Sequence, residues 1–251
     1  PGCGIPIPPP TWGAIEKIIC DNDFRIMGLT ETDLEEDESP PRLQGFKCIE
    51  SNDRGRRVCV YISDELQVET LNYGGDLPCV AFHLAQSTVA VIYSQFTKNK
   101  VSQTDKMRRD DLSDFLRWFG GIAKSRASIH GDFNVDWFSS SITKTMLVSW
   151  SKDNDFEQII RVPTREAKNN LGLMTRKCID LVFSRRHGSS AFVFDGGISD
   201  HFGTGAIISR RKEARRTIVI QKYELTAAVM KWIEENSLSI NVYQVGINDA
   251  A

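Results

Sequence analysis

Short apolar runs separated by polar turns make up most of the chain, and their lengths indicate what they become. The runs "FRIMGL" (24–29), "FKCI" (46–49), "VCVYI" (58–62), "CVAFHLA" (79–85) and "TVAVIY" (88–93) are too short for helices and are strand-like in composition, which predicts strands. "ASIHGDFN" returns to strand, and "CIDLVF" (178–183), "AFVF" (191–194) and "TGAIIS" (204–209) add three more after "FEQIIRVPTR". Helical spacing occurs in fewer places. Trp12, Ile15 and Ile18/Ile19 share one face, with Thr11 as the expected N-cap. Residues 104–119 carry a stripe of Met107, Leu112, Phe115, Leu116 and Phe119, and 141–152 form a third helix. The opening "PGCGIPIPPP" is expected to stay out of helix because its prolines lack donors. Many strands with a few interspersed helices, and no regular alternation, predict a mixed α/β layered sandwich.

The last part of the chain differs in kind. "RRKEARR" is expected to be a basic linker, and "LTAAVMKWIEEN" places Leu225, Val229, Trp232 and Ile233 on one helical face, so residues 210–251 form an appendage to a domain spanning 1–209. At 251 residues the chain is long enough for one large core with such an extension. No apolar run reaches membrane-span length and no signal-peptide pattern opens the chain, so no membrane partner is expected. The six cysteines form no CxxC pair and read as small core residues in a reducing compartment. A net charge of −2 excludes a protein that coats nucleic acid by charge alone, although basic clusters occur at "DRGRR", "KMRR" and "SRRH".

Polar residues fall repeatedly at the ends of the apolar runs. Glu31 follows "FRIMGLT", Tyr93 ends "TVAVIY", Asp132 and Asn134 follow "ASIHG", and Ser199, Asp200 and His201 precede "TGAIIS". Strand ends are where a layered α/β scaffold holds functional groups. Residues two apart in extended backbone share a side, so "GDFN" aims a carboxylate and an amide into one pocket, with Gly131 easing the bend. Asp180 alternates with Cys178 and Val182 in a run that must be buried. A buried charge needs a partner, and His201 is the natural one. Such a pair suits general acid–base and phosphate chemistry. Glu31 and the remaining aspartates suit a hard, oxygen-preferring cation such as Mg2+. His83 and His130 lie inside strand runs and read as packed core residues, and no histidine or cysteine has a partner at zinc spacing.

Taken in order, "LTETDL", "VAVIY", "HGDFN", "VPTR", "CIDLVF" and "ISDH" resemble the endonuclease/exonuclease/phosphatase superfamily, the fold of DNase I and exonuclease III. The closest resemblance is to the endonuclease domain of LINE-type non-LTR retrotransposons, over about residues 13–209. The resemblance implies a four-layer α/β sandwich, with two facing mixed sheets and helices outside. It also implies a Mg2+-dependent DNA endonuclease, with Mn2+ as an alternative ion, continuous with a downstream reverse transcriptase and located in the nucleus. Glu31 resembles the metal-binding glutamate, Asp200 the second metal-side carboxylate, and Tyr93 the tyrosine on the scissile phosphate. Asp132 resembles the aspartate that aligns or deprotonates the attacking water, and Asn134 its phosphate-holding neighbour. His201, oriented by Asp180, resembles the histidine that stabilises the transition state or acts as base. Thr164 and Ser199 resemble the threonine and serine beside the site, and are expected on the substrate side.

The chain departs from the family pattern in three places. The region that carries an asparagine metal ligand in the family is "PGCGIPIPPP" here, the tyrosine is followed by Ser94-Gln95-Phe96 where Arg-Pro-Pro is common, and Arg56-Arg57 occupy a turn that is usually glycine-rich. A missing neutral ligand implies weaker metal binding, so a catalytically weakened nucleic-acid-binding remnant stays open as an alternative. Abasic-site repair and a phosphodiesterase activity of the same fold also stay open. Target sequence and oligomeric state have no signature in the chain.

Overall fold

The computed structural model describes residues 9–22, 24–32, 34, 38–53, 55–94, 105–168, 172–185, 190–196 and 199–206. In chain order the elements are α1 (Pro9–Asp21), β1 (Ile26–Thr30), β2 (Phe46–Glu50), β3 (Val58–Ser63), β4 (Glu69–Leu71), β5 (Cys79–Leu84), β6 (Ser87–Tyr93), α2 (Asp105–Ile122) and β7 (Arg126–Asp132). They continue with α3 (Ile142–Asp153), β8 (Glu157–Gln158), β9 (Arg165–Lys168), β10 (Met174–Lys177), β11 (Asp180–Ser184), β12 (Ala191–Phe194) and β13 (Gly203–Ala206). The expected basic linker and tail helix lie outside the described residues.

Two sheets face each other. One has the order β1-β3-β2, the other β4-β5-β6-β7-β11-β8, with β6 and β7 parallel and their neighbours antiparallel. All six residues of β3 are buried, because it has apolar layers on both sides. Val58, Val60 and Ile62 pack against Val80, Phe82, Val89, Val91 and Tyr93 of the larger sheet, while Cys59 and Tyr61 turn outward to Ile15 and Ile19 of α1. On the far face of the larger sheet, Leu112, Phe115, Leu116 and Phe119 of α2 and Leu147 of α3 cover Ala90, Ile92, Ile129, Leu181 and Phe183. The order helix, sheet, sheet, helices is the four-layer α/β sandwich. The sheets approach closely at Gly28, where an added Cβ would lie 2.8 Å from both methyl groups of Val91.

Sequence expectations need correction at several points. α1 begins at Pro9, so Thr11 is inside the helix and is not its N-cap. Prolines are tolerated there because first-turn N–H groups have no intrahelical acceptor. Met107 is 49% exposed, since it lies in the first turn of α2, away from the core that Leu112 to Phe119 reach. β4, β8, β9 and β10 lack apolar alternation and were not expected. Ser141 caps α3, its Oγ accepting from Lys144 N at 3.0 Å. Among the described residues no helix is long and apolar enough to cross a membrane.

Candidate active site

Strand register assembles the centre of the site. Tyr93 at the end of β6 is directly opposite Asp132 at the end of β7, and Asp132 is directly opposite Asp180 at the start of β11. Directly opposed residues share a face, so the three stand in one row at one end of the larger sheet. Gly131 makes the row possible. Its φ is +134°, and a Cβ there would lie 2.0 Å from the Ile92 carbonyl oxygen, so only glycine fits between the two strands. Asn134 adopts left-handed backbone, φ 50°, which folds it back on Asp132. Its N–H donates to Asp132 Oδ1 at 2.7 Å, and its Nδ2 donates to Asp132 Oδ2 at 3.1 Å and to the Ser94 carbonyl at 2.9 Å. Both carboxylate oxygens of Asp132 are therefore held.

His201 arrives from the other end of the chain. Ser199 Oγ accepts from His201 N at 2.9 Å, and an isolated antiparallel bridge pairs His201 with Arg165. The ring's Nδ1 lies 3.0 and 3.1 Å from the two oxygens of Asp180, the expected partnership, which makes Nδ1 the protonated nitrogen and leaves Nε2 towards the site. Thr164 stands behind this pair. Its buried Oγ1 accepts from Ile179 N and Asp180 N, each at 3.0 Å, and its carbonyl accepts from Phe202 N at 2.7 Å. It ties the strand of Asp180 to the segment of His201. Thr164, expected on the substrate side, is 0% exposed and lies behind the Asp180–His201 pair.

Burial and like charge set the electrostatics. Burial first, and then the charge of Asp180, push the Asp132 carboxyl up to about 8, against the opposing influence of His201 and the Asn134 N–H. Burial alone would lower the His201 pKa, but its hydrogen bond to Asp180 and the charges of Asp180 and Asp132 outweigh it and raise the pKa above the ordinary value. Candidate ligand atoms of Asp132, Asp180 and His201 all lie within 4.8 Å of one another.

The metal-side candidates are placed around this cluster. Glu31 is exposed at the end of β1, in left-handed backbone with φ 59°, and Tyr93 Oη donates to its Oε1 at 2.7 Å. Glu31 is close enough to raise the Asp132 pKa. Asp200 leans the other way, its Oδ2 accepting from Arg165 Nε at 2.8 Å and its Oδ1 3.9 Å from His201 Nε2. Two carboxylates and an imidazole, those of Asp132, Asp180 and His201, lie close enough together to share one ion, and Glu31 and Asp200 are not among them; a positive charge here would relieve the crowding that raises the Asp132 pKa, so the residues present fit a divalent cation.

Two contributors were missed from sequence. Arg165 stood in the quoted "VPTR" without a role. Asp136, two residues after Asn134, accepts from Cys178 N and Phe138 N at 3.1 Å each and so anchors the start of β11; continuing the two-residue spacing of "GDFN" would have found it. His83 and His130 are packed in strands as expected, on Thr88 Oγ1 at 3.1 Å and Ser128 Oγ at 2.9 Å.

No family model and no curated protein matches the chain. Among solved structures, an AP endonuclease from Archaeoglobus fulgidus superposes with a TM-score of 0.62 at 16% identity, covering 79% of this chain and 94% of that one. The 3′-5′ exonuclease NExo from Neisseria meningitidis gives 0.62 at 15% identity, covering 79% and 94%. The endonuclease domain of TRAS1, a telomere-specific non-LTR retrotransposon, gives 0.58 at 12% identity, covering 79% and 92%. The chain has the endonuclease/exonuclease/phosphatase fold, the DNase I-like sandwich.

Proposed function

We propose that this chain is a divalent-metal-dependent DNA endonuclease that nicks one strand by hydrolysis, and that it serves target-site cleavage for a non-LTR retrotransposon. The observation that carries the proposal is the convergence of Asp132, Asp180 and His201 at one end of the larger sheet, with Tyr93 and Asn134 in contact around them. The fold shared with nucleases supports it.

Asp132, held by Asn134 through both oxygens, orients the attacking water and takes its proton. A carboxylate with a pKa near working pH suits that role. The water oxygen bonds to phosphorus and the bond to the 3′ oxygen breaks, leaving 3′-hydroxyl and 5′-phosphate ends. His201, whose protonated form Asp180 favours, presents Nε2–H to the oxygen on which charge develops. Tyr93 positions the phosphate, Asn134 holds Asp132 beside it, and Ser199 fixes the turn that carries His201. Glu31 and Asp200 would hold Mg2+, or Mn2+ in its place, and the ion would neutralise charge on the phosphate and leaving oxygen. The domain would end near residue 209, with the basic tail leading towards a reverse transcriptase, and the setting would be nuclear.

The test is incubation of the purified chain with supercoiled plasmid, with Mg2+ or with EDTA. Conversion to open circles with Mg2+ alone is expected. Binding without nicking at any metal concentration would overturn the proposal in favour of a silent remnant.

A further inference from the structure

The hairpin of β9 and β10 carries two cations in line with the site. On one side Arg165 is directly opposite Lys177, and on the other it is directly opposite His201. Residues opposed in this way point to the same face with Cβ atoms about 5 Å apart, so Lys177, Arg165 and His201 form a row. His201 ends the row at Asp180. From there the row leads out of the site through Arg165 to the exposed Lys177.

Two like charges set directly opposite each other oppose folding, so their placement needs a reason. Asp200 supplies part of one by holding Arg165 Nε at 2.8 Å, which fixes the plane of the guanidinium and leaves its two terminal nitrogens directed elsewhere. The side chain is 37% exposed. Among the described residues no carboxylate forms an ion pair with Lys177, and the nearby Asp136 is already engaged by Ser139 Oγ, Phe138 N and Cys178 N. An oriented guanidinium beside an exposed ammonium matches a phosphodiester, whose two free oxygens accept from a planar fork and from a point charge.

We propose that Arg165 and Lys177 form a clamp for the backbone phosphates next to the one being cleaved, on the strand held at His201. The proposal rests on the nuclease function above. Contacts of this kind carry no base information and fix the register of the strand.

The experiment measures binding of a fluorescein-labelled DNA duplex to the full chain in EDTA by anisotropy, across a series of salt concentrations. The proteins compared are wild type, Lys177→Gln, Arg165→Gln and Arg165→Lys, with circular dichroism as the check on folding. Each neutralised phosphate contact contributes about 0.9 to the slope of log K against log salt. Lys177→Gln and Arg165→Gln should each flatten the slope by about that amount, while Arg165→Lys should keep the slope and bind more weakly. Unchanged slopes in both glutamine variants, with wild-type protein still binding, would overturn the clamp alone. Failure of wild-type protein to bind the duplex would overturn the clamp and the nuclease proposal together. Lys177 is exposed on the hairpin, so its variant decides the matter even if the Arg165 variants unfold.

Discussion

Asp132 and Asp180 stand directly opposite each other on neighbouring strands, 2% and 9% exposed. Two buried carboxylates in register oppose each other's ionisation, and the site answers in two ways. Asp180 gains His201 as a cationic partner, whereas Asp132 is surrounded by the neutral donors of Asn134. The two carboxylates therefore differ in environment: Asp180 is paired with a histidine, whereas burial and the neighbouring charge raise the pKa of Asp132.

The pair makes the metal-free fold acid-favoured. Asp132 has a folded pKa of about 8 against an ordinary aspartate value of 3.8, so the folded state binds the extra proton and stability falls as pH rises between those values. His201 acts in the same direction, because its raised pKa contributes stability below about 6.5 that is lost as pH climbs through the folded value. One proton is worth at most about 1.4 kcal/mol per pH unit, or roughly 3 to 5 °C in Tm for a domain of this size. Thermal melts in EDTA should therefore give a higher Tm at pH 6 than at pH 8, with a smaller difference in Asp132→Asn. Equal pH sensitivity in that variant would show that Asp132 is not the group responsible.

His201 and Asp180 should separate by kinetics. His201→Ala removes the proton donor and should lower the nicking rate by about 10^2 to 10^4. Asp180→Asn keeps the geometry but removes the charge that raises the His201 pKa. Its activity should fall to an intermediate level, and the alkaline limb of the pH–rate profile should move to lower pH. An alkaline limb at the wild-type position would mean that the two residues are not coupled during catalysis.

Much of this arrangement was legible in the chain, for specific reasons. Asp180 could be identified because it interrupts the apolar run "CIDLVF", and a charge in a buried strand requires a partner. Tyr93 and Asp132 could be suspected from their places at strand ends, but the row they form with Asp180 depends on register, which the β6–β7 and β7–β11 pairings supply. The β9–β10 hairpin was not visible because "REAK" and "MTRK" have no buried face and so no alternation. The Arg165–Asp200 contact joins residues 35 apart across the bend before His201, beyond any local pattern.

Gly131 offers a test of the scaffold. Alanine there would occupy backbone of φ +134° and bring its Cβ to 2.0 Å from the Ile92 carbonyl oxygen, a contact with main chain that no rotamer change relieves. Backbone strain of this kind costs on the order of 1–3 kcal/mol before the clash is counted. Gly131→Ala should lower Tm by several degrees and reduce nicking, since the displaced residue adjoins Asp132. Gly28→Ala should be milder, because the obstacle is the Val91 side chain, and Val91→Ala should restore part of the loss. A Gly131→Ala protein with wild-type Tm would contradict the tight β6–β7 packing.

Thr164 separates positioning from substrate contact. Its Oγ1 accepts from two adjacent backbone amides, Ile179 and Asp180. Thr164→Val keeps the shape but leaves two buried N–H groups unsatisfied, at about 1–3 kcal/mol each. Thr164→Ser keeps the acceptor and loses only a methyl group. If the hydroxyl acts through Asp180, the valine variant should be less stable, nick more slowly and show an alkaline limb displaced to lower pH, as His201 loses its well-placed partner. The serine variant should recover all three, and KM for DNA should change little in either. A rise in KM without loss of stability in Thr164→Val would return Thr164 to the substrate side of the site.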